Sequence, residues 1–196
     1  MNQYLQTAKK YINKRNELFI GIAIIFGAIL IAGLVVFIIR SSGPNIVFEP
    51  AKACDLFTPA KATSLIGEKI IGIDPKDPVI NGDVAMSDCS YTDTNPDQSQ
   101  MIVAAIAVRS GINEEGVKQN KTEFVKGKPK QGVETVNSIG SAAYFNQLNG
   151  QLNVLDGHNW IIVSYGVGAS PETNTIEKAV ELVHKVLPKS STTKSS

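Results

Sequence analysis

Two histidines, two cysteines and a single tryptophan are the scarce residues through which this 196-residue chain could do chemistry. His158 stands two places after Asp156, a spacing that could set an imidazole beside a carboxylate for general acid–base work. Both fall in a polar turn signal, where such residues are ordinary, so a turn is expected and not a catalytic pair. His184 falls in the last turn of a predicted helix, where it complements the helix dipole. Asp74, Asp77, Asp83 and Asp88 do not follow the alternating spacing of a compact calcium loop, so a solvated acidic loop is expected. Gly166-Val167-Gly168 lacks the third glycine of a dinucleotide loop. Neither a Gly-x-Ser-x-Gly elbow nor a His-Glu-x-x-His pair occurs. The sequence predicts no catalytic residue, no cofactor and no metal site.

What remains is binding. Tyr91, Tyr144, Trp160 and Tyr165 combine apolar area with a polar end, which suits a recognition surface on a sheet. They form the candidate binding surface, with ordinary core packing as the competing reading.

The element that must position everything else is the run Leu18–Ile39. Its 22 residues are all apolar or glycine and are bounded by Glu17 and Arg40. As a helix it reaches about 33 Å, enough for a hydrocarbon core of about 30 Å. It exceeds the apolar core of a cleaved signal peptide, so a retained anchor is expected. Lys9, Lys10, Lys14 and Arg15 precede it, while Arg40 and Lys52 follow closely. Basic residues stay on the cytoplasmic side, which predicts an N-terminus inside and a C-terminal domain outside, at the cell membrane. The basic tail 1–17 also suits anionic head groups of the bilayer. Ala23 with Gly27, and Ala28 with Ala32, recur at the four-residue spacing that lets two spanning helices approach, a case for a homodimer.

From Ser41 to Ser196, 14 Lys or Arg face 17 Asp or Glu, a net charge of −3 with no basic stripe, so nucleic acid is not an expected partner. Cys54 and Cys89 both fall on the oxidising side. With no Cys-x-x-Cys and no close histidine, they are predicted to bond to each other.

Residues 40–52 read as a stalk, 53–188 as one extracytoplasmic domain and 189–196 as a disordered tail. In the domain, Thr58 should cap a helix that has Pro59 first and Gly67 past its end. Ile70–Ile73 suggests a short strand and 74–83 a loop. Met86–Thr92 and Met101–Val108 read as strands. Asn113 should cap a mostly polar helix to Phe124, which Gly116 leaves weakly held. Val133–Val136 and Ala142–Asn146 follow as strands or as parts of one bent strand. Asp156-Gly157 between Leu152–Leu155 and Trp160–Tyr165 is the clearest hairpin signal. A last helix lies between Pro171 and Leu187, started at Asn174 with Glu177 or earlier at Ser170.

Three stretches share a pattern: Ala53-Cys54-Asp55-Leu56-Phe57-Thr58-Pro59 with Leu65-Ile66-Gly67, then Cys89-Ser90-Tyr91-Thr92, then Ile139-Gly140-Ser141-Ala142-Ala143-Tyr144-Phe145 before the hairpin and closing helix. The pattern resembles small secreted, lipoprotein or membrane-anchored extracytoplasmic domains of actinobacterial type, similar to the outer sensor domains of some membrane kinases. The resemblance covers roughly Cys54–Leu187. It implies the fold and no set of functional residues. The chain departs from it in carrying a spanning run in place of a lipid anchor, with no kinase on its inner side.

The expected architecture is therefore α+β: a mainly antiparallel sheet with packed helices and one disulfide, preceded by a single transmembrane helix. The expected role is a non-enzymatic cell-envelope module that binds a small ligand or an envelope protein. An accessory subunit of a membrane complex is the alternative, and an envelope hydrolase the third.

Overall fold

Alternation sets the architecture. In a computed structural model, which describes residues 45–67, 69–72, 75–168 and 170–187, eight strands form one antiparallel sheet. Its strands are β1 Ile70–Gly72, β2 Val79–Asn81, β3 Val84–Asp93, β4 Ile102–Gly111, β5 Val133–Thr135, β6 Ala142–Asn146, β7 Gln151–Asp156 and β8 Asn159–Val167. They lie in the order β1-β3-β4-β8-β7-β6-β5, with β2 also paired to β3. Four helices accompany them: α1 Ala53–Leu56, α2 Pro59–Ile66, α3 Glu114–Gly127 and α4 Ile176–Val186. The expected spanning run Leu18–Ile39, the inner tail and the C-terminal tail lie outside the described residues. Among the described residues, no helix is long and apolar enough to cross a membrane.

Successive side chains of a strand point to opposite faces, so register sorts the residues into two sets. One face carries Cys89, Ile106, Val163 and Leu152, with Tyr91, Ala104 and Tyr165 in a neighbouring row. It forms the main core with α1, α2 and α4. Ala179, Leu182, Val183 and Val186 make the buried stripe of α4. Thr58 accepts from Lys61 N at 3.5 Å and Pro59 stands first in α2, so this short helix starts where its sequence predicts. The Cys54–Cys89 disulfide joins α1 to the middle of β3, with Cα atoms 5.1 Å apart.

Three local readings change. Val79–Asn81, within the expected loop, is strand β2, whose side chains are exposed. The last helix is capped by Thr175, which accepts from Lys178 N at 3.4 Å. Asn174 instead sits against Gly166, where an added Cβ would meet its Oδ1 at 1.8 Å. The described part of the stalk is tied to the sheet end: Val47 N and Phe48 N donate to Ile112 O, and Ala51 N donates to Ser110 Oγ.

Candidate functional site

The opposite face of the sheet is covered by α3. Here Asp88, Ala107, Ile162, Asn153 and Tyr144 form one row across five strands, and Arg109, Trp160 and Leu155 the row beside it. Phe124 of α3 seals a second apolar cluster with Tyr144 and Leu155, against which Trp160 and Val133 pack. Its ring lies 4.8 Å from Tyr144 and, edge-on, 6.2 Å from Trp160. Trp160 Nε1 donates to Asn153 Oδ1 at 3.1 Å, and Lys128 Nζ stands 5.7 Å from the centre of the Tyr144 ring.

The seating of α3 explains why a polar helix is held there. Asn113 caps it by accepting from Gly116 N at 2.9 Å and donates to Asp83 at 2.8 Å. Gly116, read from the sequence as a weakness of this helix, has a steric role in its seating. It permits close approach, since a Cβ there would sit 1.9 Å from Asp83 O. One turn on, buried Asn120 donates to the carbonyls of Arg109 at 2.8 Å and His158 at 3.0 Å, and accepts from the Arg109 guanidinium. Burial pulls the Arg109 pKa down, and nearby Glu123 opposes that shift.

Below the aromatic cluster lies a block of amides. Asn153 is paired with Tyr144 and Gln151 with Asn146 across β6 and β7. Asn146, Gln151 and Asn153 are only 9%, 3% and 5% exposed. Each spends its carbonyl oxygen within the fold: on Leu148 N at 3.0 Å, Asn149 Nδ2 at 2.8 Å and Trp160 Nε1 at 3.1 Å. Their NH₂ groups make no hydrogen bond among the described residues. Sequence reasoning passed over these three residues. The available signal was Gln151 and Asn153 alternating with Leu152 and Val154, which marks one polar side on an interior strand.

The four aromatic residues singled out from the sequence do not share a surface. Tyr144 and Trp160 lie under α3. Tyr91 and Tyr165 lie in the main core, where Tyr91 meets Phe57 edge-on at 5.1 Å and Tyr165 donates to Leu65 O at 2.7 Å. Burial raises the pKa of both, and Glu181 adds to it for Tyr165.

Asp156 closes β7 and His158 lies in the two-residue hairpin turn Gly157-His158, with Gly157 at φ 57°. The His158 ring stacks on Phe48 at 5.2 Å and its Nε2 lies 3.3 Å from Glu49 O. No ion pair joins it to Asp156 among the described residues. His184 is exposed on α4. Asp77 pairs with Lys52 at 2.6 Å, Asp83 anchors α3, Asp88 is exposed on β3, and Asp74 lies outside the described residues. Among the described residues, no group of three His, Cys, Asp or Glu is placed to hold a metal ion. A shallow recess of about 220 Å³ adjoins the disulfide, lined by Lys52, Cys54, Asp55, Pro75, Lys76 and Asp77.

Burial under α3 pushes the Tyr144 hydroxyl up from 10 to about 12. The folded protein therefore keeps this proton where the unfolded chain releases it. The contribution of the neutral phenol to stability is complete below pH 10 and is lost as pH rises through about 12. In a spectrophotometric titration at the phenolate band, we expect Tyr144 to ionise among the last of the tyrosines. Tyr144→Phe should remove that late step and flatten the alkaline loss of stability. An unchanged late step in the variant would refute the assignment.

Comparison with family models, with curated proteins and with solved structures finds no match to this chain.

Proposed function

We propose that this chain is a non-enzymatic binding module, held at the cell membrane by Leu18–Ile39 with its disulfide-bonded domain on the outer side. It recognises a ligand or an envelope protein through the sheet face that carries Tyr144 and Trp160. The observation that carries the binding assignment is the polar block beside Trp160: three amides, each more than nine-tenths buried, whose NH₂ donors are unused. The buried unpartnered atom of the block is an acceptor, Asn149 Oδ1, on the amide that donates to Gln151, and a buried polar atom left without a partner costs free energy, so the block is suited to an incoming polar group. The membrane placement rests on the apolar run and on the basic residues ahead of it.

Two measurements test the proposal. Protease added to intact cells should remove Ser41 onward and spare the tail; protection of the large domain would reverse the topology. Purified full-length chain should be retained on isolated envelope material, and Trp160→Ala should weaken that retention. Equal retention would dismiss this face as the binding surface. Turnover in a broad hydrolase screen that disappears in His158→Ala or Asp156→Asn protein would establish an enzyme instead.

A further inference from the structure

We infer that the outer side of α3 and the lysine loop after it dock on a bilayer surface of anionic lipid head groups, an inference that rests on the membrane placement proposed above. The helical repeat sets this face. Gly116, Asn120 and Phe124 make the buried stripe of α3. The opposite side therefore carries Lys118, Lys121, Thr122, Val125 and Lys126, all of them exposed. Beyond Gly127 the chain continues through Lys128-Pro129-Lys130, and both of those lysines are exposed as well. From Lys118 to Lys130 five lysines stand against one acid, Glu123, a net charge of +4. The net charge of −3 from Ser41 to Ser196 conceals this concentration. Glu115 pairs with Lys118 at 3.6 Å and Glu123 with Lys126 at 3.3 Å, both in solvent, where such pairs contribute little. Lys121, Lys128 and Lys130 form no ion pair among the described residues.

Lysines alone would suit any polyanion. What selects a bilayer is the apolar area set among them. Val125, in the midst of this face, is 70% exposed, and so is Leu148 in the β6–β7 turn. Leu148 stands against Gly132, where the lysine loop ends and Gln147 N donates to Gly132 O at 2.8 Å. At the head-group boundary, lysines meet lipid phosphates while apolar side chains enter the edge of the acyl region. A soluble polyanion would leave Val125 and Leu148 in water. The stalk adds proximity. Val47 N donates to Ile112 O, and α3 starts two residues later at Glu114. Seven residue steps separate Arg40 from Val47, a reach of at most about 25 Å. The proposed anchor therefore leaves α3 within range of the bilayer.

Trp160 is the only tryptophan in the chain, and its Cη2 lies beneath the end of α3, 3.8 Å from where a Cβ on Gly127 would stand. The test is energy transfer from Trp160 to a dansyl-labelled lipid head group. Full-length protein is reconstituted into vesicles of phosphatidylcholine, with and without phosphatidylglycerol. We expect more transfer in the anionic vesicles, with the excess lost in high salt. The triple variant Lys121→Gln, Lys128→Gln, Lys130→Gln should remove most of the excess. The double variant Val125→Ser, Leu148→Ser should lower it as well. All five side chains are exposed, so both variants should fold as the parent does.

An excess that either variant leaves intact overturns the inference. Equal transfer in neutral and anionic vesicles also overturns it; protein that then resists an alkaline wash keeps its anchor, and only the docking falls. Protein that the wash removes from both vesicles loses the membrane placement, and the inference with it. Inorganic polyphosphate that shifts Trp160 emission where anionic lipid raises no transfer would give the lysines to a soluble polyanion, against the bilayer.

Discussion

Cys89→Ala is expected to lower the stability of the folded domain by about 2–5 kcal/mol. The bond closes a loop of 35 residues, for which the chain-entropy model gives about 4 kcal/mol. That loop contains α2, β1 and β2, which are short and depend on neighbours for their place. α1 is a four-residue helix with no side-chain cap, and the disulfide fixes it to β3. Cys89 is buried in the main core beside Phe57, so alanine also leaves a small void there. Urea denaturation with and without reductant checks the expectation. Wild-type protein in reductant should fall close to the alanine variant in midpoint. A shift below about 1 kcal/mol in both would show that the bridge does not constrain the unfolded chain. Free thiols in unreduced protein taken from the membrane would remove the premise.

How much of this was readable in advance depends on the range over which each feature is decided. The caps at Thr58 and Asn113 are local, since each needs one oxygen and an amide three residues on, and both appear where the sequence places them. The hairpin at Gly157-His158 is likewise local. β2 was hidden because Pro75, Pro78 and Gly82 surround it and only three residues pair, with both apolar ones exposed. The split of the aromatic set was legible in part. Trp160 and Tyr165 are five residues apart on one strand, an odd step that sends them to opposite faces. Which helices cover each of those faces was not legible, because it depends on how strands far apart in sequence pair. Gly116 was misread for the same reason. As a helix propensity it is a weakness, and only the approach of Asp83 from another strand end turns it into a requirement. The amide block is the least local feature of all, since its partners come from β6, β7 and β8 at once.

Asn120→Ala is the second large effect expected, about 3 kcal/mol of stability together with a change at the candidate site. Most of α3 faces water, and its buried residues are Gly116, Asn120 and Phe124. Gly116 supplies close approach and Phe124 supplies apolar contact, which leaves Asn120 as the polar bolt. Its removal costs two donors to sheet carbonyls and the acceptor of a half-buried guanidinium at Arg109. His158 O keeps a second donor in Gly111 N at 2.8 Å, so the loss concentrates on Arg109. Asn120→Asp restores an oxygen for the guanidinium but sets it against two carbonyls, so an intermediate loss is expected. Because Phe124 lies over Trp160, loosening of α3 should expose the indole and shift its native emission to the red before the bulk of the sheet unfolds. Denaturant titrations followed in parallel by Trp160 fluorescence and far-ultraviolet circular dichroism distinguish the two events. Coincident curves with a loss near 3 kcal/mol would make Asn120 a support of the whole fold. Separated curves would make α3 a cover that opens independently over the amide face. A loss below about 1 kcal/mol with unchanged emission would deny it either role.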